Sequence, residues 1–229
     1  MEHLDLARRF VAAHFPAASI AVVAGSTARG TRTATSDIDL LLVGDEIFED
    51  EAQSLAAGFE FEGEFFEVFA YTHTGFRQWA ERSIAQYRPV IVHMLVEGTE
   101  LRGGDELERL RVPWREMLAA GPVVGAHELA LRRYMITDLL DDLRDGDDPL
   151  ERHVIASLLF ERTAELMLLS SGRWIGAGKY LPRRLREFSP DRADALAQPL
   201  LGGHLDSFIA QVDRELTAAG GRVQAGFVR

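Results

Sequence analysis

Asp37 and Asp39 stand two positions apart at the start of an apolar run, residues 36–43. If this run is a strand, side chains two residues apart point to the same face, so the two carboxylates lie side by side. Neighbouring carboxylates repel each other, and a divalent cation is the natural agent to neutralise them. Magnesium prefers one or two carboxylates together with water and substrate phosphate. The spacing therefore predicts a metal site that serves phosphate chemistry.

A third carboxylate is expected from a neighbouring strand. In residues 64–71 the apolar side chains alternate, so that one set faces the core and Glu67 faces the aspartates. Glu62 and Glu64 are rivals for the same role, but they lie nearer to a turn predicted at Gly63. We therefore prefer Glu67 as the third ligand.

A glycine and a serine, Gly25 and Ser26, directly follow a short apolar run at residues 19–24 that reads as a buried strand. Glycine lets the backbone approach a phosphate closely, and Ser26 offers both a hydroxyl and an N–H group. Arg29 adds a charged fork for phosphate oxygens. A strand, a Gly-Ser pair, ten residues and then Asp-Ile-Asp serve no evident packing role together, which favours a nucleotide site.

The elements that must position these residues fall into two halves. The first half mixes helices and strands in a small mixed sheet with helices on one face, and its predicted elements are helices at 4–14, 74–88 and 105–120 and strands at 19–24, 38–43, 58–62 and 64–71. The second half is helical only, with helices predicted at 126–144, 149–171, 179–188 and 205–218. Gly121-Pro122 marks the boundary, giving domains 1–121 and 122–229 and an α+β fold class.

Composition limits the partners. The chain has 229 residues, no cysteine and a formal net charge of −11. The missing cysteines exclude disulfides and thiolate metal sites. No run approaches the ~20 apolar residues of a membrane helix, and no signal peptide is evident, so we expect a cytoplasmic protein without a membrane partner. The acidic balance disfavours a nucleic-acid acceptor and favours a cationic one.

The apolar strand, the Gly-Ser pair and the Asp-x-Asp pair resemble the polymerase-β-like nucleotidyltransferase superfamily over about residues 19–71. The resemblance implies a nucleotidyltransferase domain in which Asp37, Asp39 and Glu67 bind two Mg²⁺ ions and the Gly-Ser pair cradles the triphosphate of an NTP. It also implies in-line displacement at the α-phosphorus with release of pyrophosphate. ATP is the expected donor because it is the common one in that superfamily.

Within the superfamily, the chain looks most like the kanamycin nucleotidyltransferase group of aminoglycoside-modifying enzymes. Residues 66–71 are similar to that group's glutamate-bearing strand, and about a hundred helical residues follow. Asp138 stands where the group has a catalytic glutamate, while Asp142 replaces a basic residue of the group. The resemblance implies that Asp138 is the general base for an acceptor hydroxyl. Its helical neighbours Leu131, Tyr134 and Met135 would partly desolvate it and raise its pKa.

A glycine-rich segment, residues 172–181, carries Trp174 and Lys179. It resembles the aromatic and lysine-bearing stretch in helical domains of small nucleotidyltransferases, which implies that Lys179 contacts the triphosphate. A helix cap followed by a core tryptophan is the alternative interpretation.

The acceptor stays open between three hypotheses. The kanamycin-type resemblance implies a small cationic acceptor such as an aminoglycoside, bound by the helical domain, and a site at a homodimer interface. The second hypothesis is a protein AMP-transferring regulator or an antitoxin-like module. The third is a non-catalytic domain that binds nucleotide or a partner, and the complete set of three carboxylates argues against it.

Overall fold

A computed structural model describes residues 2–228 of the chain. The chain divides into two compact units, Met1–Ala120 and Gly121–Arg229. The first combines a sheet with helices and the second is helical, so the α+β class expected from the sequence is confirmed. In the part that the structure describes, no helix is both long enough and apolar enough to cross a membrane.

One mixed sheet forms the centre of the first unit. Its strands are β1 (Ile20–Val23), β2 (Ile38–Val43), β3 (Ser54–Phe61), β4 (Glu64–Tyr71) and β5 (Thr99–Arg102). They lie in the order β3-β4-β2-β1-β5. The central pair β2 and β4 is parallel, and the remaining pairs are antiparallel. Because β2 and β4 run in the same direction, both begin at the same end of the sheet, where Ile38, the first residue of β2, pairs with Phe66, the third residue of β4.

Helices cover both faces of this sheet. The helices of the first unit are α1 (Glu2–His14), α2 (Gly25–Ala28), α3 (His73–Ala85), α4 (Val90–Glu97) and α5 (Gly104–Ala120). On one face the ring of Phe10 from α1 stacks on Phe66 of β4, with 4.3 Å between centroids. On the other face Leu41 of β2 belongs to a buried cluster with Phe76 of α3 and Leu95 of α4.

The expectation of helices on one face only is therefore wrong. Both sets of alternating residues in β1 and β2 are apolar and buried beyond Asp39, so both faces need cover. The strand β5 and the helix α4 were not assigned from the sequence, because β5 is a short edge strand with only one apolar residue and α4 begins with the three consecutive apolar residues 90–92, which give no helical periodicity. Pro113 lies within α5 without ending it.

The second unit is a group of packed helices: α6 (Ala126–Asp145), α7 (Pro149–Ser170), α8 (Tyr180–Phe188), α9 (Pro190–Leu201) and α10 (Leu205–Ala218). The helix α9 was not predicted, although Ser189 accepts a hydrogen bond from the N–H of Arg192 and Pro190 opens the helix, which are ordinary start signals. Pro199 inside the segment obscured its helical periodicity.

Candidate active site

The parallel pairing of β2 and β4 fixes two of the three predicted carboxylates. Asp39 and Glu67 are direct partners in the register of these strands. Both alternate with fully buried core residues, Ile38 and Leu40 on β2 and Phe66 and Val68 on β4. They therefore share the opposite face of the sheet, close to the start of β2, and each is half-buried.

Asp37 completes the cluster from outside the strand ladder. It lies one residue before the start of β2, two positions from Asp39. One carboxylate oxygen from each of Asp37, Asp39 and Glu67 lies within 4.8 Å of the other two. Within residues 2–228 this is the one group of three or more histidines or acids that could hold a metal ion.

The rival glutamates have other partners. Glu62 occupies the β3–β4 turn with φ of 47° and accepts two hydrogen bonds from Arg9, at 3.1 and 2.5 Å. The hydrogen bond from Arg9 holds the pKa of the Glu62 carboxyl below its usual value. Glu64 accepts a hydrogen bond of 2.6 Å from Arg32. Both carboxylates are thus engaged by arginines, and the preference for Glu67 agrees with the geometry of the cluster.

Gly25 lies against Asp39, and its lack of a side chain makes this contact feasible. It adopts φ of +62°, and an added Cβ would lie 1.6 Å from Oδ2 of Asp39. The preceding N–H, of Ala24, donates to the Asp39 carbonyl at 2.9 Å. The start of α2, with Ser26, is therefore held beside the carboxylates, and its first-turn N–H groups have no acceptors within the helix. Arg29 follows directly and is exposed.

Arg32 is a residue of this site that was not singled out from the sequence. Its guanidinium donates to the carbonyls of Ser36 and Asp37 and to the hydroxyl of Thr27, at 2.8, 3.4 and 3.0 Å. The same group forms the hydrogen bond to Glu64. The available signal was an arginine in a stretch rich in glycine, serine and threonine. Arg29 lies in the same stretch, so this signal does not distinguish Arg32 from Arg29.

The donor set of the cluster fits a hard divalent cation. Three carboxylates and no nitrogen or sulfur ligand are what Mg²⁺ accepts, with water and phosphate oxygens completing its coordination. Three negative groups this close would otherwise repel one another, since half-buried charges are screened less than exposed ones. Asp37, Asp39 and Glu67 are thus the residues that could hold such an ion.

The two predicted residues of the second unit lie on separate elements. Asp138 lies on α6 and is exposed, while Lys179 lies just before α8, is also exposed, and has its Nζ 5.7 Å from the ring centre of Tyr180. The expected desolvation of Asp138 is wrong: Met135 is exposed, and the ring of Tyr134 stacks on Phe227. The roles of Asp138 and Lys179 stay predictions.

Comparison with known proteins agrees with the site. Residues 4–91 match the family model described as a nucleotidyltransferase domain. This segment contains the sheet edge, the Gly-Ser pair and all three carboxylates. The match spans less than half of the chain and supports a nucleotidyltransferase domain in this segment. No curated protein matches the chain.

A solved structure shares the fold. It is a nucleotidyltransferase-like protein from Exiguobacterium sibiricum 255-15, with a TM-score of 0.50 and 13% sequence identity. The similarity covers 94% of this chain and 75% of the other. At this level of identity the likeness concerns the fold alone.

Proposed function

We propose that the protein is a Mg²⁺-dependent nucleotidyltransferase that transfers a nucleoside monophosphate from an NTP, ATP in the first instance, to a hydroxyl of a small cationic acceptor such as an aminoglycoside. The observation that carries the proposal is the cluster of Asp37, Asp39 and Glu67 beside the Gly25-Ser26 turn. The family match to residues 4–91 supports the same reaction class.

Each part of the site has a role in this reaction. Asp37, Asp39 and Glu67 would hold Mg²⁺, two ions in the superfamily that the chain resembles. Bound Mg²⁺ supplies positive charge that orients the triphosphate and offsets charge in the transition state. The backbone at Gly25 and Ser26 would bind phosphate oxygens, with the guanidinium of Arg29 as a further donor.

The acceptor hydroxyl must lose a proton as it attacks. We assign the general base to Asp138, which would take this proton while the acceptor oxygen forms a bond to the α-phosphorus. The bond between the α-phosphorus and the bridging oxygen to the β-phosphate breaks, and pyrophosphate leaves. Lys179, an exposed cation, would neutralise part of the triphosphate charge.

A cationic acceptor fits the charge of the protein. The formal net charge of −11 attracts a polycation and repels a phosphate backbone. On α6, Asp138, Asp142 and Asp145 are exposed, whereas Asp141 is ion-paired with Arg222 and is not available in the same way. The exposed members of this acidic face are the candidates to bind ammonium groups. A homodimer belongs to the same proposal, by resemblance to the kanamycin-type group.

The acceptor class can be tested with α-labelled ATP, Mg²⁺ and a panel of aminoglycosides. Labelled antibiotic from the wild-type protein, and none from Asp39→Asn, would establish the reaction and the acceptor together. Label on protein instead would identify an AMP-transferring regulator. If neither the panel nor an added protein extract gives a labelled product, the proposed function is contradicted.

A further inference from the structure

The three carboxylates of the cluster are not held equally. Asp39 and Glu67 sit within paired strands, where the hydrogen-bond ladder and the buried neighbours on both sides fix the backbone. Asp37 precedes the first ladder residue, Ile38, and follows a largely exposed segment, residues 29–36. Something other than the sheet must therefore hold Asp37 in place.

The guanidinium of Arg32 makes the contacts that do this. One nitrogen, Nη1, donates to the Thr27 hydroxyl and to the Asp37 carbonyl, at 3.0 and 3.4 Å. The other, Nη2, donates to the Ser36 carbonyl and to Glu64, at 2.8 and 2.6 Å. The Thr27 hydroxyl in turn donates to the Asp37 carbonyl at 3.4 Å.

These bonds join three parts of the first unit that the sheet does not connect. Thr27 lies on α2, Ser36 and Asp37 end the loop, and Glu64 opens β4. The Arg32 side chain is only 16% exposed and that of Glu64 is 30% exposed, so water competes less with these bonds than at an open surface. Glu64 serves as the anchor that ties the loop to the strand carrying Glu67.

We infer that Arg32 is a positioning residue: by bonding the Ser36 and Asp37 carbonyls to Glu64 and Thr27, it holds the Asp37 carboxylate beside Asp39 and Glu67. This inference rests on the proposed function in so far as the cluster binds a metal. The arrangement needs a planar fork with several donors in fixed directions, which arginine has and lysine lacks. Arg32→Lys keeps the charge and should still loosen Asp37.

Arg9 of α1 offers a matched control, because its partner Glu62 lies on the same β3–β4 hairpin as Glu64. Arg9 makes a paired hydrogen bond to Glu62, which lies two residues from Glu64. Arg9→Lys therefore changes the same residue type in a similar ion pair, away from the loop. Comparing the two variants separates loss of an arginine fork in general from loss of the support for Asp37.

The test measures Mn²⁺ affinity by calorimetry for the wild type, Arg32→Lys and Arg9→Lys, together with thermal melting of each. We expect Arg32→Lys to bind Mn²⁺ about tenfold to a hundredfold more weakly, the usual loss when a group that orients a metal ligand is removed. Arg9→Lys should bind like the wild type. Arg32→Lys binding Mn²⁺ within twofold of the wild type would overturn the inference.

Hydrogen exchange of residues 27–37 without metal keeps the test independent of the proposed function. Arg32→Lys should raise exchange in this segment about tenfold, while Arg9→Lys leaves it unchanged. If the wild type binds no metal, the proposed function fails, and the exchange result still decides whether Arg32 holds the segment. Unchanged exchange in Arg32→Lys would overturn the inference in that case too.

Discussion

Gly25→Ala should disable the site by displacing Asp39. The new Cβ would lie 1.6 Å from Oδ2 and 2.7 Å from Cγ of Asp39, so the oxygen must retreat by about 1.4 Å to reach even a 3.0 Å contact. The hydrogen bond from the Ala24 N–H to the Asp39 carbonyl opposes a matching shift of the backbone. The side chain must rotate away, and the carboxylate leaves the cluster.

The expected loss of transfer rate comes from the displaced carboxylate and not from the backbone strain of the new alanine. A displacement of about 1 Å of a positioning group costs on the order of 10²-fold in rate, so we expect transfer by Gly25→Ala to fall at least that far. An alanine in the left-handed region adds about 1–2 kcal/mol of strain, which lowers stability but does not itself move a carboxylate. Metal affinity should fall together with the rate.

Gly30→Ala is the matched control. Gly30 has φ of +67°, close to the +62° of Gly25, but no atom lies within 4 Å of an added Cβ. Both variants bear a similar strain, and only Gly25→Ala meets Asp39. The assay compares nucleotidyl transfer, Mn²⁺ affinity and the melting temperature of the two. Equal transfer rates and equal metal affinities in Gly25→Ala and Gly30→Ala would refute the reasoning.

Three further predictions concern other groups. Glu67→Gln should weaken Mn²⁺ binding by more than about tenfold, while Glu62→Gln, whose carboxylate is engaged by Arg9, should not; equal binding in a calorimetric titration would contradict the ligand assignment. Burial raises the pKa of Tyr71 from 10.0 to about 12. Its contribution to stability should therefore be complete below pH 10 and be lost as the pH rises to about 12. The free energy of unfolding of Tyr71→Phe, measured with urea, should lack the decrease that this group causes over that pH range. Asp138→Asn should slow transfer by about 10²- to 10⁴-fold and leave NTP binding intact, and an unchanged turnover number would remove Asp138 from the mechanism.

The sheet edge of the site could be predicted because it follows local rules. Alternation alone placed Asp39 and Glu67 opposite a buried face, and the structure makes them register partners. The same rule separates Glu67 from Glu64, which lies two positions before Phe66 and therefore on the face of Phe66, but it does not apply to Glu62, which lies in the turn. Their ion pairs with arginines distant in sequence depend on the folded hairpin.

The missed features depend on contacts between distant segments. Arg32 binds two backbone carbonyls and a glutamate 32 residues away, and no periodicity in the sequence reports such bonds. Tyr134 could be placed on α6 near Asp138, but its stacking on Phe227, near the other end of the second unit's sequence, could not. The packing of helices on the second face of the sheet was not predicted for a similar reason, because that face is covered only when α3, α4 and α5 pack against it.

The most direct test of the central assignment compares ATP labelled at the α-phosphate with ATP labelled at the γ-phosphate. Both are incubated with the protein, Mg²⁺ and an acceptor, with Asp39→Asn in parallel. We expect the α-label on the acceptor and the γ-label in released pyrophosphate, with neither product from Asp39→Asn. The γ-label on the acceptor, or equal transfer by Asp39→Asn, would contradict nucleotidyl transfer at the cluster of Asp37, Asp39 and Glu67.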